Sequence, residues 1–155
     1  MKQVKLRMDV WLALTAMCVA AAGAAYAQET YLSPLDVVAS PDGKSVYVSE
    51  HTANQIAVVD VAAGTVSKTF TLPEAPYGMA LSPDGARLYV AGGVPGGHVH
   101  VVNVADGAVE TLPPTGHTLV SPVVSPDGAK VYVGARFDDA VLVLDTASKA
   151  EVARI

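Results

Sequence analysis

Three copies of one tetrapeptide constrain this chain more than any other feature. Ser40-Pro41-Asp42-Gly43, Ser82-Pro83-Asp84-Gly85 and Ser125-Pro126-Asp127-Gly128 are identical and stand 42 and 43 residues apart. Each is followed by a tyrosine strand: Val46-Tyr47-Val48, Leu88-Tyr89-Val90 and Val131-Tyr132-Val133. An apolar segment comes next, at 56–60, 99–103 and 141–145, and it closes on Asp60, Asn103 or Asp145. A turn then leads to a fourth segment, at 65–72, 108–112 and 150–155. In Ser-Pro-Asp-Gly, proline presets φ for the first corner of a turn and aspartate tolerates the second. Glycine takes the left-handed position that closes a hairpin, so Gly43, Gly85 and Gly128 are each expected at positive φ.

A period in the forties with four strands per unit is the pattern of β-propeller blades. The fold class expected is all-β: four-stranded antiparallel sheets, about three blades, in an open partial propeller. The boundaries fall at 35–72, 77–112 and 120–155, within a domain spanning 28–155. The strands are nearly continuous in apolar character, which suits sheets covered on both faces. No helical period follows residue 27.

The order Ser-Pro-Asp-Gly, then a hydrophobic-Tyr-Val strand, then Val-x-Val-hydrophobic-Asp resembles the YVTN-type β-propeller repeat of secreted bacterial and archaeal proteins. The resemblance runs from about Leu35 to Ile155. The family's Asn after the tyrosine strand is replaced by Glu50, Gly92 and Ala135, and its later loop Asn is kept as Asn54 but is Gly97 and Asp139 in the other repeats. The resemblance implies a blade fold, and a frequent association with c-type cytochrome or other redox domains.

The N-terminus reads as a secretory signal peptide over 1–27. Lys2, Lys5 and Arg7 precede an apolar run at 10–24, and Ala25-Tyr26-Ala27 is a small-x-small cleavage signal before Gln28. The run is short for a hydrocarbon core that needs about 20 residues. The expected location is therefore secreted or periplasmic, with no membrane span after cleavage. Cleavage removes three of the 10 basic residues and one of the 15 acidic ones, leaving a formal charge of −7. That charge disfavours nucleic acid, which needs a basic face. The single cysteine, Cys18, leaves with the leader, so neither a disulfide nor a Cys-x-x-Cys-His haem attachment is expected in 28–155.

In propellers, the loops between second and third strands share one rim with the connections between blades. That rim would collect 50–55, 92–98 and 135–139 together with 73–77 and 113–119. All four histidines, His51, His98, His100 and His117, fall in or beside it. The candidate ligand or partner residues are His51, Asn54, Tyr77, His98, His117, Arg136 and Phe137, with Arg and aromatic side chains favoured at interfaces. His98 and His100 share a strand face, but two ligands do not make a metal site, and they read as ordinary surface or loop histidines. Asp138 and Asp139 read as turn residues. No catalytic residue, metal or cofactor is expected in this segment.

The function expected is a binding or scaffold module facing a protein or small-molecule partner. It is expected to be the N-terminal part of a longer protein, with further blades or a downstream domain. The alternatives are the propeller part of a redox protein or a surface-layer adhesion repeat. An uncapped arc is expected to self-associate through its apolar ends.

Overall fold

The computed structural model describes residues 31–93, 95–113 and 116–155. The leader at 1–27 and its cleavage site lie outside the described residues. Residues from Tyr31 to Ile155 form one compact unit. The described residues build three four-stranded antiparallel sheets. The first holds β1 (Pro34–Ala39), β2 (Ser45–Glu50), β3 (Gln55–Asp60) and β4 (Thr65–Thr71). The second holds β5 (Pro76–Leu81), β6 (Arg87–Gly92), β7 (Val99–Asn103) and β8 (Val109–Thr111). The third holds β9 (Leu119–Val124), β10 (Lys130–Ala135), β11 (Ala140–Asp145) and β12 (Glu151–Arg154). Within each sheet the strands lie in chain order, the meander of a propeller blade.

The tetrapeptide makes the first hairpin of every sheet by one chemistry. Gly43 N–H donates to Ser40 O (2.9 Å), with Gly43 at φ 70°. The Ser40 hydroxyl donates to Asp42 Oδ1 (2.7 Å), which also accepts from Lys44 N–H (3.0 Å). Ser45 N–H donates back to Ser40 Oγ (2.9 Å). Ser82/Asp84 and Ser125/Asp127 repeat these bonds, with Gly85 and Gly128 both at φ 73°. The serine hydroxyl first, and the backbone N–H second, hold each aspartate below the usual carboxylate range.

The polar residues that end the third strands also build turns. Asp60 Oδ1 accepts from Ala63 N–H (2.8 Å), Asn103 Oδ1 from Ala105 N–H (2.9 Å) and Asp145 Oδ1 from Ser148 N–H (2.8 Å). These are side-chain turns that Asp and Asn form readily.

The core lies between sheets. Tyr47, Ile56, Val58 and Phe70 of the first sheet pack against Met79, Leu88, Val90 and Val102 of the second. Tyr89, Ala91 and Val99 on the second sheet's other face pack against Leu119, Val131, Val133, Leu142 and Leu144 of the third. The middle strand β6 is thus buried from Leu88 to Gly92. Among the described residues the first and third sheets are covered on one face only, and their continuous apolar strands leave Val37, Val66, Val123 and Val141 between 42% and 59% exposed.

The two junctions are joined differently. Asp36, at the bulge of β1, accepts from its own neighbour Val37 N–H (2.9 Å) and, with its other oxygen, from Met79 N–H of the second sheet (2.8 Å). Ser49 Oγ fixes its backbone, accepting from Asp36 N–H (2.9 Å). One repeat later the counterpart of Asp36 is Gly78, and the counterpart of Met79 is Pro122. Acceptor and donor have vanished together: a Cβ on Gly78 would stand 3.0 Å from Ser121 N and 3.1 Å from Pro122 Cδ. On the hairpin rim, each tetrapeptide proline covers the next tetrapeptide's glycine. Pro41 lies 3.2 Å from the position of a Gly85 Cβ, and Pro83 lies 3.6 Å from that of Gly128.

Candidate ligand rim

Strand order places the β2–β3, β6–β7 and β10–β11 loops at the same end as the connections β4–β5 and β8–β9. Hydrogen bonds and ring contacts tie these loops to neighbouring connections. His51 Nδ1–H donates to Pro76 O (3.1 Å), and its ring stands edge-on to Tyr77 at 4.7 Å and 85°. Further along, His117 N–H donates to Asp138 Oδ2 (2.9 Å), and Arg136 N–H to Thr118 O (3.2 Å).

The middle sheet carries a polar cluster that the tetrapeptide pattern does not announce. Glu74, in the β4–β5 connection, presents Oε1 to His98 N–H (3.1 Å) and to His100 Nε2 (2.9 Å). His98 Nδ1 stands 3.5 Å from the same oxygen. Among the described residues Glu74 Oε2 has no hydrogen-bond partner. His100 Nδ1 lies 2.9 Å from Thr111 Oγ1. A carboxylate only accepts, so Nε2 carries the proton and Nδ1 accepts from the threonine hydroxyl. Burial lowers the His100 pKa from its ordinary value of 6.5, outweighing the opposing pull of Glu74, and the imidazole is neutral.

His100 is 1% exposed on β7. This corrects the expectation of an ordinary surface or loop histidine. Its counterparts Ala57 and Leu142 are apolar, so the repeat puts an imidazole on the face that meets the first sheet. Both of its nitrogens are engaged, which leaves it no lone pair to share with His98, 6.1 Å away between ring centroids. Among the described residues, no group of three or more His, Cys, Asp or Glu is arranged to hold a metal ion.

Glu74 was missed by sequence reasoning, yet a signal was present. Gly92-Gly93 occupies the positions that are Glu50-His51 and Ala135-Arg136 in the other repeats. A Cβ on Gly92 would overlap the Glu74 carboxylate, and one on Gly93 would overlap the Tyr77 ring. Two adjacent glycines at the end of a strand mark a close approach by something else.

The other sequence-chosen residues fall at the third sheet, with one exception. Phe137 is 62% exposed. Its ring meets His117 edge-on at 5.0 Å and 83°, and the Arg136 guanidinium lies 5.4 Å from its centroid. The exception is Asn54, which sits at φ 51° in the β2–β3 turn, where its N–H donates to His51 O (3.4 Å) and its O accepts from Leu72 N–H (2.8 Å). Its role there is backbone geometry. Asp139 takes the same left-handed conformation at φ 50°, whereas in the second loop Gly96, not Gly97, does so at φ 74°. The loop rim thus holds two side-chain groups: His51 and Tyr77 beside Glu74 and His98, and His117 with Arg136 and Phe137. On the opposite rim, grooves of about 350 and 310 Å³ lie between successive tetrapeptide hairpins.

Four-stranded meanders stacked face to face with loops gathered at one rim define a β-propeller module. The family described as Lactonase, 7-bladed beta-propeller matches residues 12–115, about two thirds of the chain, and the chain belongs to that family. Over 57 residues it is 40% identical to YncE of Salmonella typhi, an uncharacterized protein, covering 37% of this chain and 16% of that one. The fold resembles that of Kuenenia stuttgartiensis hydrazine synthase, with TM-score 0.75 and 24% identity over 85% of this chain and 38% of that one. A Bacteroides fragilis protein assigned as a 6-phosphogluconolactonase gives TM-score 0.69 and 19% identity, over 81% of this chain and 39% of that one. The chain therefore spans well under half the length of these relatives.

Proposed function

We propose that this propeller module is exported and binds a partner or small ligand on its loop rim. The observation that carries the reading is the exposed Arg136-Phe137 pair braced by His117. An aromatic ring held in place loses little entropy on binding, and a guanidinium above it offers paired donors to a carboxylate. The ligand chemistry that fits is a planar group bearing an anion. The recurring tetrapeptide and tyrosine strand support a YVTN-type repeat as the finer description within the family. The test is nitrogen-15 NMR on the purified chain, titrated with aromatic carboxylates and sugar acids. Expected shifts centre on Arg136, Phe137 and His117. Shifts confined to the Ser-Pro-Asp-Gly rim, or none at millimolar ligand, overturn the reading.

A second reading, lactone hydrolysis, is favoured by the family's description. Its strongest support is the partly exposed His98 imidazole beside the Glu74 carboxylate, a pair suited to activating water as a general base. Hydrolysis of a sugar δ-lactone followed by pH-stat is the test. A rate above buffer that falls about 100-fold or more in His98→Gln supports it; a rate equal to buffer removes it.

A further inference from the structure

The hairpin rim repeats more than a turn. Its two grooves, of about 310 and 350 Å³, lie at the junctions of the first sheet with the second and of the second with the third. Tyr47 lines the first groove and Tyr89 the second. Both residues are 4% exposed, with their rings packed in the core between sheets. Among the described residues neither phenol hydroxyl has a hydrogen-bond partner. A buried tyrosine hydroxyl is partnered as a rule. Two orphaned hydroxyls at matching positions, each opening on a groove, point to an occupant of the groove. Burial first, and the Asp42 carboxylate second, raise the Tyr47 pKa, so this phenol stays protonated and able to donate.

The groove walls carry acceptors. Asp42 and Asp84 line the first groove, and Asp84 and Asp127 the second. In each aspartate Oδ1 is engaged within its own hairpin, accepting from the tetrapeptide serine and from the N–H two residues on. Oδ2 forms no hydrogen bond among the described residues, although Lys44 Nζ stands 3.8 Å from that of Asp42. The walls also carry a donor. Ser45 lines the first groove and its counterpart Arg87 the second. Neither the Ser45 hydroxyl nor the Arg87 guanidinium makes a hydrogen bond among the described residues, and both can donate. Pro41 and Pro83 add an apolar wall to each.

We propose that the two hairpin-rim grooves are binding sites for a neutral polyhydroxyl ligand, of the class of a sugar ring. Neighbouring hydroxyls of the ligand donate to the facing aspartate Oδ2 atoms. Their oxygens accept from the tyrosine hydroxyl and from Ser45 or Arg87. A sugar hydroxyl donates and accepts, which matches walls that do both. An ammonium ion only donates, and in the second groove it would meet the Arg87 guanidinium. The volumes fall within the range of small-molecule sites, about 300–1,000 Å³. Asp84 is a wall of both grooves, so one substitution reaches both. The proposal is independent of what the loop rim binds.

Nitrogen-15 NMR on the purified full chain is the test, with D-glucose, D-galactose and cellobiose each titrated to about 100 mM. Ethylammonium chloride is the competing arm. Saturable shifts are expected at the amides of Ser45, Gly85, Arg87 and Gly128, with Arg136, Phe137 and His117 unmoved. Tyr47→Phe should weaken binding about 10-fold at the first groove, and Tyr89→Phe as much at the second, for one lost hydrogen bond. Neither should lower the urea midpoint of the unliganded chain, because the hydroxyl bonds nothing there. Asp84→Asn keeps the hairpin acceptor and should weaken both grooves together. Should that variant lose its β circular dichroism, the two tyrosine variants carry the test. Absence of saturable shifts with all three sugars overturns the proposal. So do shifts at the loop rim alone, sugar binding that both phenylalanine variants retain in full, or binding of ethylammonium without any sugar.

Discussion

Gly43 and Gly85 hold the same left-handed conformation, at φ 70° and 73°, in different surroundings. In the single chain, alanine at 43 meets open space and should cost only the conformational penalty, about 1 kcal/mol. Alanine at 85 meets Pro41 as well, and crowding should add about 1 kcal/mol. Urea unfolding of the two variants should separate them in that order; equal losses would mean the proline contact carries no weight. His100 supplies a second residue-scale expectation. Its folded pKa lies below 6.5, so between the two values the unfolded chain binds the extra proton and stability rises with pH. The contribution is full above about pH 6.5 and is lost as pH falls through the folded pKa. His100→Gln keeps a donor for Glu74 and an acceptor for Thr111 without titrating. The wild type should therefore lose urea midpoint between pH 7 and 5 more steeply than the variant. Asp42, Asp84 and Asp127, lowered from 3.8, act in a separate window below that value. A variant that tracks the wild type from pH 7 to 5 would remove His100 as the source.

At the scale of strands and their junctions, the test falls on Asp36. It accepts two N–H groups, and asparagine offers one acceptor oxygen in its place. Asp36→Asn should cost about 1 kcal/mol, and Asp36→Ala somewhat more, because the Met79 N–H of the second sheet is then left without its acceptor in the first. Hydrogen exchange at the Met79 amide reports the loss directly; unchanged protection would sink the assignment. The strands themselves were readable beforehand because their causes are local. Proline and glycine fix the Ser-Pro-Asp-Gly corner, and Asp60, Asn103 and Asp145 close the next turn within a few residues. Asp36 was not readable, since its partner lies 43 residues away and its repeat counterpart is a glycine. Glu74 escaped for the same reason: Thr111, His100 and Gly92 come together around it only through pairing of β6, β7 and β8. His51, His117, Arg136 and Phe137 were placed on their rim by topology alone, but which ring braces which depended on loop conformation.

For the whole molecule, the leader remains an expectation. Intact mass of exported protein should begin at Gln28, and a secreted species beginning at Met1 or Lys2 would refute cleavage after Ala27. The arrangement of sheets was readable from the repeat, because a period of 42 and 43 residues can stack only as like units. The individuality of each junction was not. Asp36 faces an amide N–H on Met79, and Gly78 faces Pro122, which has none. These pairs act as an address code between neighbours. Transposing two repeats would set a carboxylate against a proline that cannot donate to it. A tandem duplication of one repeat succeeds only where the residue opposite changes with it, so the history of such a chain is recorded in pairs rather than in single positions.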